Sequence, residues 1–151
     1  MKRTVALVAG IALAAVVGSA AAKPAGTLVI RHQVRGCHTW SYNGDAFAAS
    51  QSIEVKRGGA IVVVNNDVMP HRLVKLSGGA VTMRNGTTMP HSMGNHRPAA
   101  PGAMNHMGAT TTVTFAKPGT YTFTTKAGED YMQGMKTIGE DNILKLRVTV
   151  S

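Results

Sequence analysis

One cysteine, Cys37, serves the whole of this 151-residue chain. An intramolecular disulfide is therefore impossible, and a structural zinc site of the multi-cysteine type is excluded with it. The Cys37-His38 pair lacks the Cys-x-x-Cys-His spacing that attaches haem covalently. No glycine-rich phosphate cradle, nucleophile elbow or metalloprotease motif is present. Nucleophilic catalysis by Cys37 with His38 has no recognisable Asn or Asp to orient it, so the sequence does not read as an enzyme. Acidic residues are few, 7 against 16 Lys and Arg, which leaves a formal charge of +9. Such an excess invites a polyanionic partner. The basic residues are scattered, however: Lys56-Arg57 is the longest basic run beyond the N-terminus, and no aromatics interleave it. That pattern argues against nucleic acid and leaves general surface charge or docking to an acidic surface on a partner protein.

Long apolar runs are missing too, with one exception. Lys2 and Arg3 precede an uncharged run over 4–18 that ends in Ser19-Ala20-Ala21-Ala22. Small residues at 20 and 22 suit cleavage before Lys23, so residues 1–22 read as an export signal. A membrane anchor needs about 20 apolar residues, and no second run resembles a span, so residues 23–151 are expected to have no membrane-spanning segment. No cysteine directly follows the small residues, which argues against a lipoprotein anchor. The expected destination is periplasmic or secreted, with 23–151 as one domain. In that oxidising setting Cys37 is a buried free thiol, an intermolecular link or a metal ligand.

Beyond the signal no convincing helical period occurs; short alternating segments broken by turn residues take its place. Residues 27–34 alternate, with Leu28, Ile30, His32 and Val34 on one face, and His32 reads as a core or rim histidine. Tyr42-Asn43-Gly44-Asp45 marks a turn, and strands are expected over 51–56, 60–65, 72–76, 110–115, 120–125 and 143–150. The pair 110–115 and 120–125 is expected to flank a turn at Pro118-Gly119. About seven or eight short strands imply an all-β antiparallel Greek-key sandwich.

Two blocks of sequence carry a family likeness. The first is Glu54-Val55-Lys56-Arg57-Gly58-Gly59-Ala60-Ile61-Val62-Val63-Val64-Asn65-Asn66-Asp67-Val68-Met69-Pro70-His71. The second is Phe115-Ala116-Lys117-Pro118-Gly119-Thr120-Tyr121-Thr122-Phe123-Thr124-Thr125. Together they resemble the cupredoxins, and the resemblance implies a copper-binding β-sandwich in which His71 is a ligand. Thr125 stands where the family carries its ligand cysteine, and the loop after it has no histidine.

The resemblance also implies where replacement ligands should come from. In cupredoxins the connection between the first two strands shares an end of the sandwich with the first histidine and the late ligand loop. Here that connection is 35–44, with Arg35-Gly36-Cys37-His38-Thr39-Trp40, so a relocated thiolate, Cys37, with His38 and His71 forms the expected ligand set. The alternative is that Cys37 is merely buried and His38 bonds a carbonyl. Trp40 offers no ligand atom and either shields the site or packs the core. In the late loop Gly134-Met135 resembles the segment that holds the family's axial methionine. Met132 is an alternative there, and Glu129 or Asp130 offers an oxygen ligand in its place.

Residues 83–107 form an expected insertion rich in Met and His, with Met83, Met89, His91, Met93, His96, Met104, His106 and Met107 among Gly, Pro and Asn. Such a composition suits an idle linker, but thioethers with imidazoles also suit Cu(I) and Cu(II) capture. Three functions follow: single-electron transfer with a redox partner protein, copper sequestration or delivery through the insertion, or a metal-free interaction domain.

Overall fold

The computed structural model describes residues 24–32, 38–86, 99–125 and 144–151. Among them there are ten strands and no helix: β1 Pro24–His32, β2 His38–Tyr42, β3 Ser50–Val55, β4 Ala60–Asn66, β5 His71–Ser77, β6 Val81–Asn85, β7 Ala103–Met104, β8 Thr110–Phe115, β9 Gly119–Thr125 and β10 Lys145–Val150. They lie in two five-stranded sheets, ordered β2-β1-β4-β8-β6 and β3-β10-β9-β5-β7. The sandwich expected from the alternation is what forms, although β1 with β4 and β3 with β10 pair in parallel.

Alternation decides what faces inward. In β8 the inward set is Thr111, Val113 and Phe115, in β9 Tyr121, Phe123 and Thr125, and in β10 Leu146, Val148 and Val150. Leu28, Ile30, Trp40, Ile53, Val55, Ile61, Val63, Leu73 and Met104 join the core from the other strands.

Three expectations change. First, β8 and β9 are not a hairpin pair. β8 bonds to β4 and β6, whereas β9 bonds to β10 and β5 in the opposite sheet. Each strand has an apolar face, and in opposing sheets these faces meet across the core. Phe115 thus stands edge-on to Tyr121 and Phe123, with centroids 5.1 and 6.1 Å apart. The Tyr121 hydroxyl donates to the Lys117 carbonyl at 2.7 Å and ties down the corner between the sheets.

Second, 35–44 is not wholly a connection, because it contains β2, antiparallel to β1. Trp40 drives this pairing by placing its fully buried indole in the core. The turn after it is the expected one, with Asn43 at φ 50 and Gly44 at φ 89, the left-handed pair that a tight turn requires. Third, the insertion is narrower than 83–107. Met83 lies on β6, partly buried against the core, and Met104 lies on β7, fully buried. Both have a core to fill. No helix among the described residues is long and apolar enough to cross a membrane.

Strand register brings the connections to one end. Arg31 of β1 pairs with Asn66 of β4, and His32 pairs with His38, so β1 and β2 both meet the 33–37 connection beside the turn after β4. Met104 pairs with His71, and Leu73 with Thr125, which places the β7–β8 connection and the start of 126–143 at that end. β6 arrives there as well, since Asn85 pairs with Thr111 and the Gly86 N–H donates to the Thr110 carbonyl at 2.8 Å. The connection over 86–102 therefore leaves and re-enters at the same end.

Candidate metal centre

The turn between β4 and β5 is shaped by its own side chains. The Asp67 N–H donates to Asn65 Oδ1 at 2.9 Å, and the Met69 N–H donates to Asp67 Oδ1 at 3.1 Å. Two successive Asx turns thus reverse the chain, and Pro70 follows the bend before His71 opens β5. Asp67 has a second oxygen to spend. Its Oδ2 lies 3.2 Å from His71 Nε2, and both side chains are buried, at 1% and 0% exposure. A carboxylate accepts, so Nε2 carries the hydrogen and Nδ1 the lone pair that a metal takes.

Asn65 fixes this turn to its neighbour. Its buried amide nitrogen donates to the carbonyls of Met69 at 2.8 Å, Met104 at 3.1 Å and His106 at 3.3 Å. The Asn65 backbone bonds Ala109 and Gly108 at 2.9 and 2.7 Å. One side chain therefore pins the β4–β5 turn, β7 and the β7–β8 turn together. Beside them lies a cleft of about 390 Å³ lined by Arg31, Asn66, Asp67, Val68, Met69 and Met107.

Thr125 is buried on the inward face of β9, and its hydroxyl has no hydrogen-bond partner among the described residues. It lies one strand from β5, toward the His71 end. A cysteine in this position would project its sulfur into the same interior.

Of the expected ligands, His71 is fully buried at the start of β5. His38 opens β2, with its backbone opposite His32. Cys37, Glu129, Asp130, Met132 and Met135 lie outside the described residues, as do Met89, His91, Met93 and His96. Met104 fills the core, whereas His106 is exposed and Met107 is 52% exposed. Among the described residues no three His, Cys, Asp or Glu side chains converge as a metal cluster. The residues that sequence reasoning passed over are Asn65 and Asp67. Their signal was present in the Asn65-Asn66-Asp67 turn and in the four-residue spacing from Asp67 to His71.

No curated protein sequence matches the chain. Among solved structures, a purple cupredoxin from Nitrosopumilus maritimus is 15% identical over 83% of this chain and 98% of its own, with a TM-score of 0.43. A methionine-to-alanine variant of amicyanin in its Cu(I) form is 18% identical over 68% of this chain and 70% of its own, with a TM-score of 0.40. The sequence profile of the copper binding proteins of the plastocyanin/azurin family matches residues 37–138. The chain belongs to that family, and copper is its metal.

Proposed function

We propose that the protein is an exported single-electron carrier holding one copper ion at the end of the sandwich where its connections gather. His71, Cys37 and His38 would hold the metal, with Met135 completing the shell; Met132, Glu129 and Asp130 are the other donors of the same late loop. Strand register is the observation that carries this reading. The 33–37 connection begins and ends beside the turn that leads to His71, and 126–143 leaves from Thr125, one strand from β5.

The described residues fit copper through the chemistry of His71, a buried imidazole whose second nitrogen is oriented by a carboxylate. Bound copper supplies a one-electron couple. The chain supplies rigidity: Asn65 and Asp67 hold the turn and the imidazole so that neither needs to move when charge changes. Burial of His71 and Asp67 keeps water from the donor. No residue is assigned a catalytic role. The basic net charge suits a redox partner with an acidic docking surface.

The test is to load the protein with one equivalent of Cu(II) and record visible absorption and electron paramagnetic resonance beside Cys37→Ala. Intense thiolate-to-copper absorption that disappears in the variant is expected. Weak absorption unchanged by the substitution removes Cys37 from the ligand set. A second reading, copper sequestration or delivery, draws on Met89, His91, Met93 and His96 together with the exposed His106 and Met107. It requires several Cu(I) ions per chain and loss of most of that capacity when 87–98 is deleted.

A further inference from the structure

Beside the His71 centre a second group of soft donors is gathered by the fold. Met69 and Met107 belong to different turns yet line the same cleft. The Asn65 amide nitrogen that bonds the Met69 carbonyl also bonds the His106 carbonyl, so these turns are held side by side through one buried atom. His106 is exposed, and its Nδ1 lies 2.8 Å from the Met107 carbonyl. A carbonyl only accepts, so Nδ1 bears the hydrogen and the Nε2 lone pair is left for a ligand. Met107 is 52% exposed, so the core does not account for its thioether.

We propose that this cleft is a binding site for a soft monovalent metal ion, Cu(I), with the sulfurs of Met69 and Met107 on its lining as donors and Nε2 of His106, the residue before Met107 on the same turn, as a third. Thioether with imidazole prefers Cu(I) to hard cations. Arg31 sharpens that preference. Its guanidinium lines the cleft and stands 5.9 Å from the centre of the Phe47 ring. A fixed positive charge repels a divalent ion twice as strongly as a monovalent one. The carboxylate on the cleft wall, Asp67, is already engaged by His71 and the Met69 N–H. An ion held here lies beside the turn that leads into His71, which suits a receiving site for metal destined for the buried centre. The site needs neither Cys37 nor electron transfer, and it adds Met69 to the donors that the sequence suggested.

Ag(I), which matches Cu(I) in charge and softness without redox chemistry, is the probe. It is titrated into protein carrying methyl-labelled methionine, with Cys37 replaced by Ser or blocked by alkylation so that its thiolate does not take the silver. The methyl resonances of Met69 and Met107 and the ring resonances of His106 are expected to shift together, with Zn(II) giving no such response. Met107→Leu keeps the bulk and leaves the Asn65 bonds intact. It should weaken silver binding at Met69 by at least about tenfold, because even an outer-shell partner is worth that much to a metal site. Silver that moves only Met89, Met93 or other methionines overturns the proposal, as does a Met69 response unaffected by Met107→Leu. Neither result touches the thiolate-to-copper test, which uses the unmodified protein.

Discussion

Removing the Asn65 side chain should destabilise this protein about as much as truncating a large core residue. Asn65→Ala deletes a donor shared by three carbonyls and the acceptor for the Asp67 N–H, all at a buried end of the sandwich. A net loss of about 1 kcal/mol per bond, together with carbonyls left dry, gives about 3–5 kcal/mol. That is a large share of the roughly 5–15 kcal/mol that holds such a domain together. Trp40, the only tryptophan and fully buried, reports the transition by its fluorescence. With a slope of about 2 kcal/mol per molar urea, the midpoint should fall by about 2 M. Asn65→Asp provides the control. It keeps the acceptor but points an oxygen at three carbonyl oxygens, so it should be at least as damaging as Ala. A loss below about 1 kcal/mol for Ala, or an Asp variant milder than Ala, refutes the clamp.

The remaining predictions concern the metal. Asp67→Asn should weaken copper binding by about 10- to 100-fold while leaving the fold intact, because it removes the carboxylate that orients His71; competition with a chelator measures this, and unchanged affinity refutes the role. In a Cys37→Ala background, Thr125→Cys places a thiolate on the inward face of β9, one strand from β5. Intense thiolate-to-copper absorption should return, and its absence shows that the metal is not anchored at His71.

Much of the fold could be read from the sequence because alternation reports faces directly. Leu28 and Ile30 were placed on one face by pattern alone, and they are buried. Alternation does not report partners. A strand with one apolar face looks the same whether its neighbour in sequence pairs beside it or faces it across the core, which is why β8 and β9 were expected to pair. β2 was hidden for a related reason. Gly36-Cys37-His38-Thr39-Trp40 has the composition of a loop, and only the burial of Trp40 turns its end into a strand. The methionines misled in the opposite direction: Met83 and Met104 sit among Gly, Pro and Asn yet face the core. At the site, turn chemistry indicated that 65–67 reverses the chain, but which carbonyls Asn65 would bond depends on a turn more than thirty residues away.

The register also bears on how a cupredoxin could lose its late-loop cysteine and retain copper. Among the described residues, His32, His38, His71 and His106 belong to strand ends or connections at one end of the sandwich. A thiolate displaced from one of these connections to another stays at that end, so the requirement reduces to reach. In the sheet order β2-β1-β4, His38 lies two strands from β4, roughly 10 Å from the Asn66 backbone at the usual strand spacing. Thr125, by contrast, is a single strand from β5. If Cys37 is the ligand proposed above, its thiolate has to reach past the end of β1 to approach His71, whereas a thiolate at position 125 would not. A glycine immediately before Cys37 gives the backbone the freedom for that course. The proposed site would draw on both sheets and so depend on the turns that anchor it, and Asn65 with Asp67 is where the described chain supplies that anchorage.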